Sequence, residues 1–142
     1  GKVAKYVTDF PDEEIVRLEN TIVTPHIGAS TDDAEDNCAD MAVHQLMDYI
    51  EHGNIKNSVN FPAIDMGCCK AESRIAVMHR NIPQMIGQIT NTVTAHNISN
   101  LTNRSREGFA YTMLDLDSKI TEATIQELEA IDGVIRVRII KE

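Results

Sequence analysis

Apolar and polar positions along this chain fall into short alternating runs and three helical stripes. Residues 74–79 alternate, with Ile75, Val77 and His79 on one side, the period-two pattern of a half-buried strand. Residues 98–103 and 109–116 also read as strands, and in the second Ala110, Thr112, Leu114 and Leu116 oppose Phe109, Tyr111 and Met113. A last strand over 134–140 has Ile135, Val137 and Ile139 inward and Arg136 and Arg138 outward. Between the first two strands, Ile82, Ile86, Ile89 and Val93 stand at helical spacing. Pro83 is expected to start that helix and His96-Asn97 to end it. Residues 104–108 read as a turn, and a second helix over 121–131 is stopped by Asp132-Gly133. The order over residues 73–142 is therefore β-α-β-β-α-β. This predicts an α+β, ferredoxin-like unit: a four-stranded antiparallel sheet with both helices on one face and exposed strand edges.

The first half reads differently. Residues 3–7 and 21–23 suit short strands, with a short helix over 13–19 between them, and Thr24-Pro25 ends the second strand because a residue before proline is pushed to extended geometry. The clearest helix spans residues 32–52, with Ser30 or Thr31 as cap and Asp32, Asp33 and Glu35 in the first turn, where the helix dipole favours carboxylates. Ala34, Cys38, Met41, Ala42, Leu46, Tyr49 and Ile50 form its apolar stripe, expected to be buried, and Gly53 suits a left-handed cap. Residues 54–72 have little periodicity. The expected division is a first region over 1–57, a linker over 58–72 and the βαββαβ domain over 73–142.

Composition narrows the function classes. The 142 residues carry Lys+Arg 13 against Asp+Glu 22, a formal net charge of −9, which argues against a nucleic-acid partner. Charged residues make up 25% and hydrophobic ones 42%, ordinary for a folded soluble protein. No apolar run approaches the ~18 residues of a membrane helix and no signal peptide opens the chain. The length suits one ordinary domain or two small ones, and falls short of the roughly 250 residues of a complete two-domain nucleotide-dependent enzyme. Together with an initial Gly1, this leads to the expectation of a piece of a longer protein. The three cysteines are Cys38, Cys68 and Cys69. They form neither an even disulfide framework nor a C-x-x-C metal motif, so reduced thiols, a cytoplasmic setting and no metal site are expected.

Two places could carry chemistry. In Thr24-Pro25-His26-Ile27-Gly28-Ala29-Ser30-Thr31 a histidine stands between a strand end and a helix start, a position suited to acid/base work. Glu13, in the acidic cluster upstream, is a candidate orienting carboxylate. The competing reading is a solvated loop histidine. In His79-Arg80-Asn81-Ile82-Pro83 a strand again gives way to a helix. Free N–H groups at that helix start favour an anion, and His79 and Asn81 would flank it, as in a pocket for a small zwitterion. A hydrogen-bonded loop without a ligand is the alternative. Arg104-Ser105-Arg106-Glu107 and the acidic residues 32–40 read as solvated surface, and Met66, Met78 and Met85 as core filler.

At these two motifs the sequence resembles the D-3-phosphoglycerate dehydrogenases, a branch of the NAD-dependent D-2-hydroxyacid dehydrogenases. The His26 segment resembles their catalytic-histidine signature. Val7-Thr8-Asp9-Phe10-Pro11-Asp12-Glu13 resembles the segment supplying their catalytic glutamate, and Asn57-Ser58-Val59-Asn60-Phe61-Pro62 the connector after their long helix. His79-Arg80-Asn81-Ile82-Pro83 resembles the serine-binding start of their C-terminal ACT domain, which has the βαββαβ fold. The resemblance implies that His26, assisted by Glu13, is the acid/base of an enzyme oxidising 3-phosphoglycerate with NAD. It also implies that residues 1–57 are the tail of the catalytic region, and that 73–142 bind L-serine for feedback control where two ACT domains join side by side. His79 and Asn81 match that site, and Asn97, Ser99 or Asn100 would supply a further asparagine or hydroxyl. Gln84 stands where the family has glycine, and the loop at Asn97 is about two residues short. The family's catalytic arginine and its G-x-G-x-x-G loop are not in this sequence, so these residues alone are expected neither to bind NAD nor to turn over. The alternatives are an ACT-type dimerisation module without an amino-acid ligand and, disfavoured by the His26 motif, an ACT module on an unrelated enzyme.

Overall fold

The computed structural model describes residues 3–141. Two compact units divide between Ala42 and Val43, and they are described separately.

In the first unit, β1 (Tyr6–Thr8) and β2 (Thr21–Val23) pair in parallel, joined through a single 3-10 turn at Ile15–Arg17. The helix expected over 13–19 is only this turn. Asp12 Oδ1 accepts from the backbone N–H groups of Glu14 and Ile15 at 3.0 and 2.8 Å, a local capping pattern that closes one turn without propagating a helix. None of the described side chains in this unit is buried.

Helix α1 (Asp32–His52) has the expected limits. Thr31 Oγ1 accepts from Ala34 N at 3.2 Å as the N-cap, and Gly53 leaves the helix at φ +76°. The expected burial of its stripe is not found: no residue of α1 is buried. Toward its C-terminal end, within the second unit, Tyr49 packs on the core of that unit, with the Arg138 guanidinium 4.2 Å over its ring.

The second unit is the ferredoxin-like domain. Its elements are β3 (Ser73–Arg80), α2 (Met85–Thr92), β4 (Ile98–Arg106), β5 (Phe109–Leu116), α3 (Glu122–Glu129) and β6 (Val134–Lys141). The sheet order β4-β5-β3-β6 is antiparallel throughout. On the helix side, Ile75, Val77, Leu114, Leu116 and Val137 pack against Met85, Ile89, Val93 and Leu128. The alternation read in β3 and β5 sorts these faces correctly. In β6, an edge strand, only Val137 is buried, whereas Ile135 and Ile139 are exposed.

Two local readings change. Helix α2 starts at Met85 rather than at Pro83, because Gln84 takes a left-handed φ of 67°. Strand β4 runs on to Arg106 and turns within Glu107 and Gly108, with Glu107 at φ 55°. A non-glycine residue in the left-handed region is strained. Gln84→Gly is therefore expected to raise stability by about 0.5–1 kcal/mol after allowing for the looser unfolded chain. Urea unfolding of the two forms checks it.

The stretch expected to be a linker covers the other face of the sheet. Ile55 and Ile64 form an antiparallel bridge. They pack with Phe61 and Met66 on Ala76, Tyr111 and Met113, a single apolar patch that would otherwise face water. Tyr111 is fully buried and its hydroxyl donates to Gly53 O at 2.9 Å. Burial, and then the neighbouring Tyr49, push its phenol upward. A phenol raised in the folded state lends stability that is complete below the unfolded value near 10 and fades as pH rises above it. Above about pH 10 stability should fall by up to about 1.4 kcal/mol per pH unit through this group. Tyr111→Phe, compared by denaturant melts between pH 9 and 11, should lose that component.

Candidate functional site

The His26 site is assembled by the parallel pairing of β1 and β2. Thr8 and Val23 end side by side, and Thr24 N donates to Thr8 O at 3.0 Å. The segments that follow therefore emerge together. His26 Nδ1 lies 3.5 Å from Asp9 Oδ2, and the Phe10 ring meets the imidazole edge-on with centroids 5.5 Å apart. Both side chains of the pair are more than half exposed, at 64% and 55%. Among the described residues, the carboxylate within ion-pair distance of His26 is that of Asp9. Glu13 instead borders a recess with Pro11, Asp12, Val16 and Arg17. The pairing register of β1 and β2 brings Asp9 to the ring.

The second site lies where β3 gives way to α2. His79 is 2% exposed. Its Nδ1 is 2.8 Å from Arg80 O, and a carbonyl only accepts, so Nδ1 carries the hydrogen. Nε2 is 2.8 Å from Thr112 Oγ1, which lies 2.8 Å from the Asn103 side-chain amide. A hydroxyl has one proton. With a neutral imidazole it donates to Nε2 and Asn103 must turn its NH₂ toward it; with an imidazolium it donates to Asn103 Oδ1. Asn81 is fixed by its backbone N–H to Gly108 O at 2.9 Å and, weakly, by Nδ2 to Glu107 O at 3.4 Å. His79, Asn81, Gln84 and Asn103 open on one recess of about 160 Å³ with the first residues of α2. Gln84 places no side-chain cap on that helix, so its first N–H groups remain available to an anion.

Asn97 and Asn100 are not at this recess. Asn97 donates from its backbone and its amide to the two Asp117 carboxylate oxygens, at 3.0 and 2.8 Å, and these bonds hold the Asp117 carboxyl below the usual range. Asn100 pairs in register with Asp115 near the Arg74 end of the sheet, about 17 Å of strand from His79. Thr112 and Asn103 are the participants that sequence reasoning missed. Their signal was a hydroxyl and an amide within two strands, in register with each other.

A group not anticipated stands at the far end. Arg74 is 1% exposed and pairs with Asp115 through two bonds of 2.6 and 2.8 Å. It also donates to the carbonyls of His52, Gly67 and Met66 at 3.0, 2.6 and 3.3 Å.

The chain has relatives among known proteins. Over 119 residues it is 32% identical to D-3-phosphoglycerate dehydrogenase 2 of Saccharomyces cerevisiae, an alignment covering 81% of the chain and 25% of that enzyme. The D-3-phosphoglycerate dehydrogenase of Dictyostelium discoideum is 28% identical over 127 residues, covering 89% and 31%. That of Escherichia coli K12 is 25% identical over 130 residues, covering 89% and 32%. The chain is homologous to D-3-phosphoglycerate dehydrogenases. It spans a quarter to a third of the length of these relatives. No protein-family model matches it. Among solved structures, the ACT domain of the GTP pyrophosphokinase of Chlorobium tepidum matches in a crystal form (TM-score 0.42, 21% identity, 47% of this chain and 94% of that one). A solution form of the same domain gives a TM-score of 0.43 and 20% identity, over 49% and 85%. In this dehydrogenase homologue no helix among the described residues is long and apolar enough to cross a membrane.

Of the seven glycines the nearest two, Gly53 and Gly67, stand 14 positions apart, so the sequence holds no G-x-G-x-x-G loop of the kind that cradles a pyrophosphate.

Proposed function

We propose that this chain is the C-terminal regulatory part of an NAD-dependent D-3-phosphoglycerate dehydrogenase, and that its βαββαβ unit binds L-serine and pairs with a second copy. The observation that carries this reading is the convergence of His79, Asn81 and Asn103 on one recess at the uncapped start of α2. A small zwitterion suits it: the helix N–H groups take the carboxylate, and the amide oxygens accept from the ammonium. His26 serves as the acid/base in the complete enzyme, with Glu13 as its orienting carboxylate; Asp9 also lies within ion-pair distance of the ring. The cytoplasm is the expected setting.

Thermal or urea unfolding with and without L-serine tests the sensor. A ligand at tenfold excess over its Kd stabilises the folded form by about 1.4 kcal/mol. That shift is expected with L-serine, and Asn81→Ala should abolish it. A folded, dimeric chain that shows no shift at millimolar serine would sink this reading. It would leave the second one, a pairing module without a ligand. The engagement of Asn97 by Asp117 favours that alternative, because the amide is not free to turn toward a ligand.

A further inference from the structure

The three cysteines sit in three different environments. Cys38 is an exposed helix residue. Cys69 is half-buried, and its Sγ donates to Ala71 O and Asp115 Oδ1, both at 3.7 Å. Cys68 is exposed, and its Sγ is 3.4 Å from His52 Nε2. His52 closes α1. The loop carrying Cys68 is held from below by the buried Arg74 guanidinium, through the carbonyls of Met66 and Gly67. Cys68 lines an open recess of about 800 Å³ that it shares with Lys70, Glu72, Arg74, Asp115 and Asp117, so a small polar oxidant has access.

We propose that Cys68 is a peroxide-reactive thiol, with His52 as its proton acceptor, and thus a site of reversible oxidation distinct from the two sites above. An imidazole at this distance takes the thiol proton and leaves the thiolate, the nucleophilic form. The thiolate sulfur attacks one oxygen of hydrogen peroxide. An S–O bond forms as the O–O bond breaks, and the departing hydroxide receives the proton held by His52. The products are a sulfenic acid and water; sulfur loses two electrons and the peroxide gains them.

The test treats the 142-residue chain with hydrogen peroxide in the presence of dimedone, which traps sulfenic acids. Adduct formation at each cysteine is then followed by fragment-ion mass spectrometry. A free thiol is only a few per cent thiolate at neutral pH, and the gain from full ionisation is partly offset by lower nucleophilicity. Cys68 is therefore expected to react about tenfold faster than Cys38. His52→Gln, with folding checked by circular dichroism, should bring Cys68 to within about twofold of Cys38. Equal rates at Cys68 and Cys38 in the unsubstituted chain overturn the proposal, as does faster reaction at Cys69 or a Cys68 rate unchanged by His52→Gln. If the variant fails to fold, the ratio in the unsubstituted chain decides.

Discussion

Replacing Arg74 with methionine is expected to lower the free energy of unfolding by about 3–5 kcal/mol, the usual cost of stranding one partner of a buried ion pair. Asp115 is only 6% exposed, and without the guanidinium its carboxylate has no cation in contact. The loss extends beyond the pair. Arg74 also satisfies the carbonyls of His52, Gly67 and Met66, which lie at the end of α1 and in the loop before β3. Methionine keeps most of the stem and gives back none of these bonds. Equilibrium urea unfolding of the two forms checks the figure. The double change Arg74→Met with Asp115→Leu should recover a large part of it, because no charge is then left alone in the interior. A loss below about 1 kcal/mol in the single variant would place this pair with exposed ones.

The second large effect is expected at Gly53. Its φ of +76° lies in the left-handed region, and a Cβ there would meet Met113 Sδ at 3.0 Å and Ile140 Cγ1 at 3.1 Å. Two terms therefore add in Gly53→Ala: about 1–2 kcal/mol of backbone strain and about 1–3 kcal/mol of overpacking. A total of about 2–5 kcal/mol is expected by the same urea measurement. The effect is local in origin and wide in reach, since Gly53 O also receives the Tyr111 hydroxyl. Displacing that carbonyl would leave a buried phenol without its acceptor. At Gly28 an added Cβ would have nothing within 4 Å, and φ is not positive there. It should accept alanine at little cost, which makes it the control.

What could be read from the sequence was whatever local rules decide. The limits of α1 follow from an N-cap threonine, first-turn carboxylates and a terminal glycine, all within a few residues of the ends they set. The two sheet faces follow from alternation in β3 and β5. Other features depended on partners remote in sequence. Arg74 and Asp115 are 41 positions apart, and nothing near either residue announces the other. Ile55 and Ile64 have no helical or strand period between them, so a stretch that covers a sheet face read as a linker. The nearness of Asp9 to His26 depended on the parallel register of β1 and β2, which sets which segments emerge together. Pro83 was a sound helix start by itself, and the left-handed Gln84 deferred the helix by two residues. At the recess, His79 and Asn81 were visible as a motif, whereas Thr112 and Asn103 required the pairing of β4 with β5.

The pairing of β3 with β6 also determines how the domain responds to load. These two strands are the first and last of the βαββαβ unit, they are antiparallel neighbours, and Arg74 lies opposite Lys141. A pull applied through the chain at those two residues acts at one end of the ladder and perpendicular to the strands. The cross-strand hydrogen bonds then face the force one after another instead of sharing it. Strand β6 should peel away like a zipper from the Arg74 end toward His79, at low force, while β3, β5 and β4 keep their shape.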